Sequence, residues 1–105
     1  MIEFLEAADV EFLDAVAWYE DQQAGLGARF LSEVEQASDR IAEWPRIGPV
    51  WTYSEVPEGV RRFSLRTFPY HIVYIEDPRL VIVAVAHMKR RPGYWRRRLR
   101  QVSAS

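Results

Sequence analysis

The segment VRRFSLRTFPYHIVYIEDPRLVIVAVAHMKRRPGYW, residues 60–95, holds the side chains best suited to chemistry. Arg62, Ser64 and Arg66 alternate with Phe63 and Leu65, so in an extended strand they share one face. Guanidinium groups held on a sheet clamp phosphate or carboxylate in a planar fork, which an ammonium does less well. A simpler role is a solvated strand face whose charges discourage pairing with other chains. His87 closes an apolar run and precedes Lys89–Arg91. An imidazole titrates near neutrality, which suits proton transfer, although a hydrogen-bonded corner of the core suits the same position. His71 is the only other histidine, cysteine is absent, and no third ligand stands at metal spacing, so neither a metal nor another cofactor is expected. The stretch KRRPGYWRRRLR, residues 89–100, carries seven Lys or Arg in twelve residues around Tyr94 and Trp95. Arg90, Arg91, Arg96, Arg97 and Arg98 beside two stacking surfaces predict an ordered basic surface for a polyanion or an acidic peptide. Trp95 is expected to anchor this tail to the core. Tyr94 suits either anchoring or recognition.

The rest of the chain bounds what these residues can do. Its 105 residues make one domain, residues 1–105, large enough for a single core. The net charge of -1 hides a division. Residues 1–59 hold 13 acids against three bases, and residues 60–105 hold 11 bases against two acids. Such a split predicts a basic face for an acidic partner, or two halves that neutralise one another across the fold. The lack of cysteine excludes disulfides and thiolate sites. No apolar run is long enough to span a bilayer, and the acidic start is wrong for a secretory signal. A cytoplasmic location with no membrane contact is the expectation. No phosphate-binding glycine loop, nucleophile triad or carboxylate dyad stands out.

Periodicity supplies the elements that must position these groups. Met1–Ala7 reads as a short strand, and Asp9 as the cap of a first helix. In that helix Phe12, Leu13, Val16, Ala17 and Tyr19 form the apolar face, while Glu11, Asp14 and Asp21 point away. The helix fades near Gln22–Gln23, and Gly25 and Gly27 turn the chain. Leu26, Phe30, Val34, Ala37, Ile41 and Trp44 follow at steps of three and four, one stripe of a second helix that Pro45 ends. Strands are predicted at Val50–Tyr53, Val60–Thr67, Tyr70–Glu76 and Leu80–His87. The last is apolar on both faces and therefore central. Pro92–Arg100 reads as a short helix or extended tail, with Gln101–Ser105 frayed. The fold class is α+β: an N-terminal strand, then an antiparallel helical hairpin packed on a small, mainly antiparallel sheet, then a basic C-terminal tail or short helix.

Three stretches together, WYEDQQAGLGARF, VRRFSLRTFPYHIVY and VIVAVAHMKRRPGYW, resemble the RelE/ParE superfamily of type II toxin–antitoxin toxins, as does the order strand, helix, helix, strands. The resemblance covers nearly the whole chain. It implies a cognate antitoxin whose tail wraps the toxin, forming a hetero-oligomer. In the RelE-like branch it implies ribosome-dependent cleavage of messenger RNA. Arg62, Arg66, His87, Arg90 and Tyr94 would then be the catalytic set, the arginines holding phosphate and His87 or Tyr94 moving the proton. Arg66 matches the position of a nuclease arginine, and Tyr94 falls about where that branch carries a tail tyrosine. VWTY at 50–53 lacks the lysines of the RNA cutters, and Met88 stands near another expected arginine. The ending HMKRRPGYW is more similar to the ParE-like and plasmid-stabilisation branches. Their members poison DNA gyrase by binding, inhibit growth and need no active site. On that branch Arg62, Arg66, Arg90, Arg91, Arg96, Arg97 and Arg98 would meet target or antitoxin. A degenerate member that binds only its antitoxin is a third reading.

Overall fold

The computed structural model describes residues 2–103. In chain order it contains β1 (Glu3–Phe4), α1 (Glu6–Gln22), α2 (Leu26–Glu43), β2 (Arg61–Ser64), β3 (Tyr70–Ile75) and β4 (Val81–His87). A 3-10 turn (Arg96–Arg98) then leads into α3 (Leu99–Ser103). The four strands form one sheet in the order β1-β4-β3-β2. β1 runs parallel to β4, and the other two pairings are antiparallel. The α+β class, the helical hairpin and the mainly antiparallel sheet are therefore as the periodicity predicts.

β4 is central because both of its faces are apolar. Val81–Ala86 are all buried. A bulge at Val73/Tyr74 pairs Val73 with Ala84 and Tyr74 with Ile82, leaving Val83 as the extra residue. Val83 and Ala84 consequently turn to the same side. Ile82 and Val85 meet the helices, whereas Val81, Val83, Ala84 and Ala86 enter a second core. The first core centres on Phe30, fully buried and ringed by Tyr19, Phe68 and Tyr70 at centroid distances of 5.1, 5.0 and 5.0 Å. The Phe68 and Tyr70 contacts are edge-to-face, and packing of this kind adds about 0.5–1.5 kcal/mol per pair beyond area burial. The second core is closed by the C-terminal tail. Trp95 is fully buried there, 6.0 Å from the Trp51 ring, and Val102 of α3 is buried beside them. The sheet thus lies between the hairpin and the tail.

The hairpin turn depends on Glu20. Its carboxylate accepts the backbone N–H of Gly25 at 2.9 Å and of Gly27 at 3.0 Å, satisfying donors at the start of α2. Gly25 has a φ of 90°, and a Cβ on Gly27 would collide with the backbone of Val16 in α1.

Several local expectations are corrected. α1 starts at Glu6 with Leu5 in the capping position and no side-chain cap, so Asp9 lies inside the helix. The Leu5 carbonyl accepts the Asp9 N–H at 3.0 Å, the first bond of the helical ladder, which places Asp9 beyond the capping position. The N-terminal strand is only two residues long, because α1 begins so early, and its expected first residue, Met1, lies outside the described residues. Leu13 and Ala17 of α1 are exposed while Ala8 and Ala15 are buried, so the packed face is rotated from the expected one. Trp44 is exposed, because the helix ends at Glu43 and the chain has already turned away. Val50–Tyr53 is not a strand. Only Val50 bridges to Arg61, since Trp51 turns in to pack on the tail. β2 ends at Ser64, which removes Arg66 from the strand face of Arg62 and Ser64. Gln101–Ser103 is helical rather than frayed, held by the burial of Val102, and the expectation for Ala104 and Ser105 lies outside the described residues.

Candidate functional site

On the tail side of the sheet, β2, β3, the end of β4 and the segment after it enclose a cleft of about 200 Å³. Arg62, His71, His87, Arg90, Arg91 and Tyr94 line it, with Trp51 and Trp95 as aromatic walls. Among the described residues, no carboxylate lines it. Each residue arrives there for a local reason. Arg62 pairs with Val73 across the β2–β3 ladder, which puts both on the tail side. Its guanidinium lies 4.7 Å from the Trp51 ring centroid, a cation–π contact that holds the long side chain over the cleft. His71 pairs with Ser64, and its Nδ1 lies 3.0 Å from the Ser64 hydroxyl. The His71 ring meets Trp51 edge-on at 5.4 Å. Burial, and secondarily the Arg62 charge, hold the His71 imidazole below the ordinary range, which favours its neutral form.

Arg90 and Tyr94 form the opposite wall. The Arg90 guanidinium sits 3.9 Å from the Tyr94 ring centroid. Tyr94 is fixed in turn by Glu11, whose Oε2 accepts its hydroxyl at 2.6 Å. The same carboxylate accepts the Val85 N–H at 3.1 Å and both terminal nitrogens of Arg98, at 2.8 and 2.9 Å. Arg98 also donates to the Val83 carbonyl at 3.1 Å, next to the bulge. Glu11 therefore ties α1, β4 and the tail into one latch. Burial, then the hydrogen bond and charge of Glu11, push the Tyr94 phenol far above its ordinary value, so it stays a donor. Gly93 makes this path of the tail possible. It has a φ of 90°, and a Cβ there would strike the Glu55 carbonyl.

The expected site residues thus divide. Arg62, His87, Arg90, Arg91 and Tyr94 converge on the cleft. Arg66 stands apart, in a hollow with Arg29 and Gln36, where Glu33 accepts the N–H groups of Arg66 and Thr67 at 2.6 and 2.8 Å. Arg98 is absorbed into the latch. Arg96 lies 3.7 Å from Glu55, and Arg97 is exposed. Among the described residues, no carboxylate lies within ion-pair distance of Arg62, Arg90 or Arg91. Sequence reasoning missed Glu11, which it turned outward, and gave Trp51 and His71 no part in a binding surface. Glu11 and Arg98 are 87 positions apart, so helix periodicity could not join them. The aromatic Trp51 in VWTY was the visible signal for the cleft wall.

Chemically, the arrangement can hold an anionic group between fixed guanidiniums and against flat rings. It is less prepared for proton transfer. The His87 Nδ1 accepts the Lys89 amide at 3.0 Å, which leaves Nε2 to carry the proton in the neutral ring. The Tyr94 hydroxyl is already committed to Glu11.

A chain from "Chromosomal ParDE TA system from P. aeruginosa" superposes with a TM-score of 0.69 at 12% identity, over 82% of this chain and 92% of that one. At that identity the likeness establishes the fold. No curated protein sequence matches the chain closely. Among the described residues, no helix is long and apolar enough to cross a membrane. The family model for the ParE toxin of the type II toxin–antitoxin system parDE matches residues 2–92. That match takes in both helices of the hairpin, the whole sheet and the arginines up to Arg91, and the chain belongs to the ParE toxin family of type II toxin–antitoxin systems.

Proposed function

We propose that this toxin inhibits growth by binding rather than by catalysis, with DNA gyrase as its target in the cytoplasm. We propose also that a cognate antitoxin neutralises it by laying an acidic segment across the arginine cleft. One observation carries the reading. Arg62, Arg90 and Arg91 line a single cleft with aromatic walls and, among the described residues, no carboxylate. Unpaired guanidiniums on a rigid scaffold suit bidentate capture of carboxylate or phosphate. The commitments of His87 and Tyr94 to the chain's own groups support binding over proton transfer. Expression without the antitoxin should arrest growth and raise DNA-damage signalling. The purified toxin should slow supercoiling by purified gyrase, and normal supercoiling in its presence would reject the reading.

A second reading has its own support. Four of the five residues expected of a ribosome-dependent endoribonuclease, Arg62, His87, Arg90 and Tyr94, share this cleft. Transcript 5′ ends mapped after induction separate the two. New ends within translated messages support the nuclease, and intact messages eliminate it.

A further inference from the structure

Helix α1 has a second apolar face that the fold leaves uncovered. Val10, Leu13 and Trp18 are 51%, 54% and 57% exposed, and Ala17 is exposed beside them. Val10, Leu13 and Ala17 stand at i, i+3 and i+7, which is one continuous seam along a helix. An isolated exposed apolar residue is ordinary, but an aligned seam marks an interaction surface, and Trp18 stands one row beyond it, past Asp14. The charges around it say what it would meet. α1 contains six carboxylates and no Lys or Arg. Glu11 and Glu20 are consumed inside the fold. Among the described residues, Glu6, Asp9, Asp14 and Asp21 have no base within ion-pair distance. Asp14 and Asp21 follow one flank of the seam, and Asp9 stands on the other.

We infer that the outer face of α1 docks a basic amphipathic helix from a partner protein, one whose own apolar row is bordered by Lys or Arg. An apolar seam edged with acids is half of a helix pair whose other half must carry the opposite charge. A second copy presenting the same face would set carboxylate against carboxylate, and an anionic lipid surface is repelled in the same way. Trp18 borders a hollow of about 320 Å³ between α1 and the end of β4, with Asp14, Tyr70, His87 and Arg90 on its walls. The hollow gives the edge of the incoming helix a place to anchor against an aromatic ring. The seam of Val10, Leu13 and Ala17 lies outside the arginine cleft, and only His87 and Arg90 border both the hollow and the cleft, so the inference stands whether or not that cleft binds gyrase.

The test uses the whole chain and two synthetic helical peptides with leucine at i, i+3 and i+7. One peptide is flanked by lysines and the other by glutamates at the same positions. Backbone amide NMR shifts report where each binds. The lysine peptide should saturate at one per chain with shifts concentrated in α1, and binding should weaken as salt is raised. Leu13→Asn, at an exposed position, should keep the melting temperature and weaken binding by about tenfold. A chain carrying Arg62→Ala and Arg91→Ala, which line the cleft and not the hollow, should bind the lysine peptide unchanged. Absence of saturable binding, equal binding of the glutamate peptide, or shifts centred elsewhere would overturn the inference. A concentration-dependent dimer of the toxin that Leu13→Asn abolishes would also overturn it, by assigning the face to a second copy.

Discussion

Arg62 and Arg98 are both arginines of the basic half, yet their surroundings give them opposite duties. Arg62 rests on Trp51 with no carboxylate of the described residues near, so its charge remains available. Arg62→Ala should cost no more than about 1 kcal/mol of stability, the size of a solvent-accessible cation–π contact. Its effect should appear in binding instead. Arg98 is four-fifths buried at the side chain and bidentate to Glu11. Arg98→Ala leaves Glu11 partly unpaired and should cost toward the lower end of about 3–5 kcal/mol, whereas neighbouring Arg97→Ala should stay within about 0.5 kcal/mol. Urea unfolding of the two variants measures the difference. His71 offers a third residue-scale test. Its folded pKa lies below the unfolded value, so the unfolded chain takes up the proton first as the pH falls. The associated stability is intact above about pH 6.5 and is lost progressively as the solution becomes more acidic. An NMR titration should place His71 below the ordinary histidine range. Arg62→Ala should raise it only part of the way back, because burial is the larger cause.

At the scale of elements, α2 and the tail compete for neither side of the sheet; each closes its own core. Phe30→Ala or Ile41→Ala removes a fully buried side chain from the hairpin side and should cost about 2–5 kcal/mol, read from the urea midpoint. Leu26, Phe30, Val34, Ala37 and Ile41 were legible in the sequence because a helix with one buried face writes a regular period. α1 was legible as a helix but not in orientation. Its residues are apolar on two sides, so its periodicity does not choose between them, and Leu13 was assigned to the wrong one. Val50–Tyr53 misled for the opposite reason. The stretch has strand-forming residues, but packing of Trp51 on Trp95 overrode local preference.

For the whole molecule, the division between an acidic first half and a basic second half is only partly cancelled by folding. Arg79 meets Glu3, Arg98 meets Glu11 and Arg96 meets Glu55 across it, yet the cleft arginines and the outer carboxylates of α1 remain apart. The sequence could show that a basic surface existed. It could not show which arginines composed it, because Arg66 is separated from Arg62 by the end of β2 and Arg98 is claimed by a carboxylate 87 positions away. Binding of an acidic partner at the cleft should therefore weaken with salt, as expected for accessible charges, while thermal stability changes little.

The central claim is that the arginine cleft is the working surface of the toxin. It is tested most directly by gyrase supercoiling assays with the wild-type chain and with the Arg62→Ala, Arg90→Ala double variant, after melting curves show both folded. The account predicts inhibition by the wild type and its loss, by about tenfold or more in the concentration required, in the double variant. Equal inhibition by the two proteins, or none by the wild type, would contradict it.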